Sequence, residues 1–296
     1  MDLASLLPLV IKASIVLMVL GLGLNATWQD ALYLFRKPGL LIRSVLSMNV
    51  IMPLVAAGLV VAFDLPLAVK IALVALALSP VPPILPKKEM KAGGHAPYAI
   101  GLLVAIALLA VITVPLGVAW FSSAFDRNGE IAPGAVAKVV LTSVLAPLAV
   151  GIALRQWAPA LAARIAQPVA MLGNVLLIVS ALPLAVAAWP AISALFGNGT
   201  VLILAAMAVI GLVTGHLLGG PQPDDRTVLA LSTASRHPAV ALAVAVVGGV
   251  ESKSGLAAIL LYLIVSALVS LPYVIWRKRQ SRDTDSFTAS ATTVVK

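Results

Sequence analysis

Cysteine is absent from the 296-residue chain. The protein therefore has no disulfide framework, no thiolate metal site and no redox thiol. Charge is scarce as well: Asp, Glu, Lys and Arg make up 10% of the residues, against about a quarter in soluble domains. Aromatic residues contribute only 5%. Apolar side chains fill the rest, at 61% hydrophobic with a mean hydropathy of +1.08. A water-soluble globule of this size could not cover itself with so little polar surface. The scarcity of charge argues against a soluble enzyme, a nucleic-acid binder and a disordered chain. A transmembrane β-barrel needs segments of about ten residues with alternating polarity. Here the apolar runs last about twenty, the length of helices crossing a hydrocarbon core about 30 Å thick. The composition defines an all-α polytopic membrane protein.

Nine hydrophobic units are predicted, at roughly 6–24, 40–63, 66–86, 96–121, 134–154, 166–189, 200–218, 227–249 and 255–276. The connections are short. The first unit lacks a basic stretch ahead of it and reads as a retained span, not a cleaved signal. Residues 277–296 are polar and Ser/Thr-rich, and a disordered cytoplasmic tail is expected there. The net charge of +9 is distributed by side. Arg36, Lys37, Lys87, Lys88, Lys91, Arg155, Arg164, Arg226 and Arg277 fall at alternate span ends; Arg127 and Lys253 fall at the others, with Asp64, Asp126, Glu130 and Glu251. Basic residues gather in cytoplasmic loops. The expected orientation is N-terminus outside and C-terminus inside, in a plasma membrane of the bacterial inner-membrane kind. Segment 25–39, with Trp28 and Tyr33, is amphipathic and predicts a short interfacial helix.

Two units are abnormal. The third holds Pro80, Pro82, Pro83 and Pro86 in seven residues. Proline removes a backbone donor and clashes with the preceding turn, so the chain must unwind from about Ser79 to Pro86. Irregular backbone at membrane depth is tolerated only where protein buries it or it lines a cavity. Lys87, Lys88 and Glu89 follow directly. The eighth unit runs through Ser232, Thr233 and Ser235 to Arg236, His237 and Pro238, and Pro238 breaks it about a dozen residues in. An intramembrane arginine costs at least a few kcal/mol unless it finds a cavity or a partner. Arg236 is either a ligand-binding group or a structural one, paired with a carbonyl or with Glu89. Matched Pro-interrupted segments in two halves point to inverted repeats, with two crossed discontinuous helices and a midplane site.

At these residues the chain resembles the bile acid:sodium symporter family over about residues 13 to 276. FRKPGLLIRSVLSMNVIMPL is similar to the family's KPxGL…IMPL helix pair, with Lys37, Pro38, Gly39 and Ile51, Met52, Pro53, Leu54 in place. ALSPVPPILP stands where the family has SPGGxxSN. RTVLALSTASRHPAVALAVA stands where it has RTVxxExGxQNxxLA, with Arg226, Thr227 and Val228 retained. The resemblance implies a panel domain (6–24 and 134–189) and a core domain (40–121 and 200–276), with substrate between them and transport by alternating access. It also exposes departures. The family's sodium-ligand positions fall on Leu85, Pro86, Ala99, Leu103, Leu231 and Ser235, with another near Met48, and Arg236 stands where the family has Asn. Sodium is a hard cation that needs several oxygens, a preference hard cations share. A fixed positive charge beside such a site repels it.

The reading is a secondary transporter of a small organic anion, without sodium coupling; the rival is an ordinary sodium-coupled symporter. The candidate substrate-binding residues are Arg236, His237, Ser79, Ser232, Thr233 and Ser235. Arg236 is a forked donor suited to carboxylate, and half-helix N-termini favour anions. His237 and Glu89 are the candidate proton carriers. Lys87 and Lys88 either line an inner vestibule that draws in anions or anchor a cytoplasmic end. No cofactor or metal is expected: the three histidines are far apart in sequence. No catalytic cluster of acid, serine and histidine lies within the spans, so the protein is read as a non-enzyme. The expected partners are the lipid bilayer and a small organic anion, with no nucleic acid.

Overall fold

The structure is a computed structural model, and it describes residues 3–124, 133–196, 199–247 and 252–294. The described residues form helices and no strands. In chain order these are α1 (Leu3–Gly23), α2 (Trp28–Ala31), α3 (Pro38–Val45), α4 (Met52–Ala62), α5 (Leu67–Leu78), α6 (Leu85–Lys91) and α7 (Ala96–Ala124). Then come α8 (Pro133–Val140), α9 (Ala146–Trp157), α10 (Pro159–Ser193), α11 (Thr200–Leu218), α12 (Pro223–Ala234), α13 (Pro238–Val247) and α14 (Ser252–Val294). Among the described residues seven helical stretches are long and apolar enough to cross a membrane, and two shorter apolar helices, Leu9–Gly23 and Leu67–Leu78, accompany them. The protein is an all-α polytopic membrane protein.

Pro115, Pro168, Pro183, Pro190 and Pro272 sit inside continuous helices, but elsewhere proline widens or ends the helix. Between α3 and α4 the backbone widens to a π-helical turn at Leu46–Ile51, and Pro53 follows. Between α8 and α9 the same happens at Leu141–Leu145, with Pro147 following. A proline has no N–H to give and crowds the carbonyl four residues back, so the helix takes up an extra residue and continues. Where several prolines crowd together, the helix stops.

Outward-facing apolar side chains such as Ile42, Val61, Ile112, Met171, Ile178 and Leu182 are exposed, which only a lipid environment rewards. Trp28, Trp157 and Trp276 lie at one end of the bundle, and Trp120 and Trp189 toward the other, like an interfacial belt. Trp157 is 83% exposed.

The predicted interfacial segment is shorter than its amphipathic pattern. Only one turn, α2, and a 3-10 turn at Leu34–Arg36 form. Thr27 and Asp30 make a reciprocal capping box, with the Thr27 N–H donating to Asp30 Oδ2 at 2.7 Å and the Asp30 N–H to Thr27 Oγ1 at 3.2 Å. Lys37, just ahead of Pro38, then leaves the helical region.

At the far end of the chain the last helix runs on past the apolar span, α14 continuing to Val294. The polar stretch opens with Arg277, which is buried. Its Nε donates to Thr227 Oγ1 at 2.7 Å and its Nη2 to the Pro223 carbonyl at 2.6 Å, and Gln280 accepts from Nη1. These bonds hold the turn beyond Trp276 against the start of α12.

α1 packs on α9 and α10; α11 packs on α12 and α14; α13 packs on α5 and α14. Close approach depends on small residues, as in other membrane bundles. A Cβ on Gly23 would stand 2.5 Å from the Leu148 carbonyl, and one on Gly151 would stand 2.6 Å from the Leu20 carbonyl. Gly151→Leu is therefore expected to destabilise the fold by about 1–3 kcal/mol, the usual cost of overpacking. Gly58→Leu, where a Cβ meets nothing within 4 Å, is the control. Thermal unfolding in detergent separates them; equal midpoints would contradict the α1–α9 contact.

Candidate functional site

The two interrupted spans meet at their breaks. α5 ends at Leu78, and Ser79 turns to extended backbone at φ −75, ψ 146; the residue before a proline avoids the helical region. The Ser79 hydroxyl turns back and donates to the Leu76 carbonyl at 2.8 Å. The chain resumes as α6 at Leu85, with the Leu85 N–H bonded to the Pro82 carbonyl at 3.0 Å and Pro86 in the first turn. In the second span α12 ends at Ala234, Ser235 is extended at φ −109, ψ 141, and Pro238 starts α13. The His237 N–H donates to the Pro80 carbonyl at 2.9 Å. The crossing is thus tied backbone to backbone.

Arg236 lies in this crossing and is 1% exposed. Its Nη1 donates to the Ser79 carbonyl at 3.3 Å and its Nη2 to the Met48 carbonyl at 3.5 Å. Both contacts are long, hence weak. Its Nε has no protein partner, and the ion pairs among the described residues do not include it. The Glu89 pairing left open by the sequence is not made. The two ring nitrogens of His237, also buried, have no hydrogen-bond partner either. Tyr262, fully buried on α14, donates from its hydroxyl to the Ala234 carbonyl at 2.8 Å and holds the end of α12. No sequence pattern marked it, because its role is a contact 28 residues away.

The other candidates are spread over neighbouring contacts. Thr233 shares a hydrogen bond of 2.7 Å with Ser47 of the π turn. Ser232 donates to Glu89 Oε1 at 2.5 Å. Ser235 is half-buried at the end of α12. Most positions that the resemblance assigns to sodium ligands are apolar and closed: Met48, Leu85, Ala99 and Leu103 belong to one buried cluster, and Leu231 is buried in another; Ser235 alone among them keeps a side-chain oxygen.

A cavity of about 560 Å³ opens beside the crossing. One wall comes from α1 and α10, with Met18, Asn25, Gln167 and Asn174; the other is the stretch from Pro83 to Met90, with Lys87. Lys87 and Lys88 are both exposed, but Lys87 lines this cavity and Lys88 does not. Nor do Arg236, His237, Ser79, Ser232, Thr233 or Ser235. Sequence reasoning missed Asn25, Gln167 and Asn174. Their signal was available, as amides at the ends of or inside apolar runs, but Gln167 and Asn174 lie on α10 and Asn25 just past α1, and nothing in the sequence joins the two segments.

A second cavity, of about 660 Å³, lies between the segment from Tyr33 to Arg43 and the turn from Gly219 to Asp225. His95 Nδ1 stands 3.0 Å from Asp225 Oδ1 there. One ligand atom each from His95, Asp224 and Asp225 falls within 4.8 Å of the others. Histidine spacing alone could not reveal this cluster, since carboxylates complete it across 130 residues. His95 and Asp225 already satisfy one another. Burial, then the carboxylates of Asp225 and Asp224, hold the Tyr33 phenol above its usual range.

A helical membrane bundle with two interrupted spans tied at their breaks, and a cavity beside the tie, has the form of a secondary transporter. The chain belongs to the sodium bile acid symporter family, whose family model matches residues 13–189, a stretch that contains the first break and ends before the second. It is a membrane transporter of the bile acid symporter type, with a small-molecule substrate. A search of curated proteins finds no match to it.

Proposed function

We propose that the protein moves a small organic anion across the membrane by alternating access and without sodium coupling. The observation that carries this reading is the Arg236 guanidinium. It is a fixed cation inside the crossing, and it engages carbonyls from two separate segments, Ser79 and Met48. Those carbonyls are the kind of oxygen a sodium ion would need, and the nearby hydroxyls are already engaged, Ser47 with Thr233 and Ser79 with the Leu76 carbonyl. A monovalent cation brought close to that charge is repelled by several kcal/mol at an intermediate dielectric, about 4 kcal/mol at 4 Å. The guanidinium keeps a free Nε, so it retains donor capacity for an anion.

The substrate enters through the cavity of Lys87, Asn25, Gln167 and Asn174. One cation, several amides and methionine-rich walls fit an acid with an apolar body. In this reading α1, α8, α9 and α10 belong to the panel, and the crossed helices belong to the core. The end bearing Lys87, Arg155 and Arg226 is cytoplasmic, by the bias of basic residues.

The test is the melting temperature of the purified protein against a panel of organic acids in sodium and in potassium buffers. Native-state binding raises it, by about 2.7 kcal/mol of stabilisation at a hundredfold excess over Kd. Equal shifts in the two buffers are expected. A shift seen only in sodium would overturn the reading in favour of sodium symport.

A further inference from the structure

The carboxyl of Glu89 is not explained by the anion site. It is fully buried, its Oε1 has one partner, Ser232, and its Oε2 has none. A carboxylate so enclosed, with one hydrogen bond and no cation, is far costlier than a neutral carboxyl. The charged groups around it are already engaged or turned away. On its own helix Lys87, Lys88 and Lys91 are exposed. On α7, Tyr98 is hydrogen-bonded to Ser44 at 2.8 Å. At the start of α12, Asp225 is taken by His95 and the Arg226 Nε by the Gly220 carbonyl. On α14, Arg277 is bound to Thr227 and Pro223.

The placement of the helix that carries Glu89 gives this burial a use. α6 is the half-helix beyond the first break. One of its faces, with Leu85, Pro86 and Glu89, is buried against the core, and the opposite face, with Ile84, Lys87 and Met90, lines the cavity. Residues 85, 86 and 89 and residues 84, 87 and 90 follow the helical spacing of two faces. The same seven-residue element therefore touches the passing substrate on one side and encloses a carboxyl on the other.

We propose that Glu89 is a proton-binding site that couples anion transport to a proton gradient, with Ser232 as its hydrogen-bond partner. The carboxyl takes a proton from water on one side of the membrane, forming an O–H bond, and is neutral while α6 is packed as here. When α6 shifts with the loaded cavity, Glu89 meets water on the opposite side and that O–H bond breaks, the proton passing to water. One proton then travels with one anion. This rests on the sodium-independent anion reading, and two measurements separate the failure of one from that of the other.

The first needs no substrate. Infrared difference spectroscopy of the purified full-length protein at neutral pH, in sodium-free buffer, is expected to show a protonated-carboxyl band. Glu89→Gln removes it, and Ser232→Ala shifts it without abolishing it. A spectrum unchanged by Glu89→Gln overturns the proton site, whatever the transport result. The second uses proteoliposomes with an organic acid that stabilises the protein. An imposed gradient of one pH unit supports at most about tenfold accumulation for one proton per monoanion. Wild type is expected to accumulate its substrate toward that limit in potassium buffer. Glu89→Gln is expected to lose gradient-driven accumulation while still exchanging internal for external substrate, which also shows that it is folded. Full accumulation by Glu89→Gln overturns the proposal. Uptake that needs sodium in wild type overturns the anion reading instead, and the infrared band then decides Glu89 on its own.

Discussion

Arg236→Met is expected to abolish transport while leaving the fold as stable as wild type or more so. The two effects have different origins. Arg236 is the largest fully buried side chain among the described residues, and it is a charge without an ionic partner. The penalty for holding such a charge out of water is several kcal/mol even after relaxation. Its return is two long contacts to the Ser79 and Met48 carbonyls. A buried carbonyl left without a donor costs about 1–3 kcal/mol, and contacts of 3.3 and 3.5 Å place the loss at the low end. Methionine keeps most of the volume and adapts to irregular gaps, so little cavity cost is added. Relief of the charge outweighs loss of the contacts. Transport goes the other way. Truncating a buried charge that pairs with an ionic ligand costs about 2–5 kcal/mol, so uptake should fall by at least about thirtyfold. A residue that serves only the fold would lose stability and uptake together, and thermal unfolding alongside liposome uptake tells the two apart. Arg236→Asn, the family's residue, is expected to leave the protein insensitive to sodium. Leu85, Pro86, Ala99, Leu103 and Leu231 still offer no side-chain oxygen there. A sodium-dependent melting shift in that variant would show that the carbonyls alone suffice.

Much of this was legible in the chain because its causes are local. A run of prolines breaks a helix wherever it lies, so the first interruption follows from a few adjacent residues; the second was marked by Pro238 beside the polar Arg236 and His237 inside an apolar run. The charge of Arg236 inside an apolar run was equally plain. Its partners were not. The Ser79 carbonyl lies 157 residues away and the Met48 carbonyl 188, and backbone oxygens carry no sequence signature. Glu89 was visible as an acid after the first break, but its enclosure depends on Ser232, 143 residues further on. The cavity was read least well. The sequence directed attention to the hydroxyls of the second break, whereas the amides lining the opening belong to α10 and to the end of α1. Those residues are ordinary in their own helices and become a wall only when α1 and α10 pack together. The anchoring of Arg277 was hidden for a related reason. The segment it opens has the composition of a disordered one, and the acceptors of the guanidinium, Thr227 and Pro223, lie on α12.

Lys87→Glu is expected to weaken anion binding about tenfold or more, and Lys88→Glu to change it by less than about twofold. The two lysines are adjacent, both exposed and at the same end of the bundle; what differs is that Lys87 lines the cavity and Lys88 does not. Two unit charges 4 Å apart interact by about 1 kcal/mol in water and by about 4 kcal/mol near a protein surface. Reversing the charge removes an attraction and installs a repulsion, so even the solvent-screened end of that range gives about tenfold. Outside the cavity the same reversal acts as an ordinary surface change, which rarely matters measurably. The salt dependence should follow the same division. Raising ionic strength shortens the Debye length from about 10 Å at 0.1 M to about 3 Å at 1 M. The Lys87→Glu penalty should shrink over that range, and wild-type affinity should fall toward it. Melting shifts with a stabilising organic acid, titrated at low and high salt for both variants, give the comparison. Equal penalties at the two positions would mean that the basic end of the bundle attracts anions as a whole, and that the cavity beside the crossing is not their route.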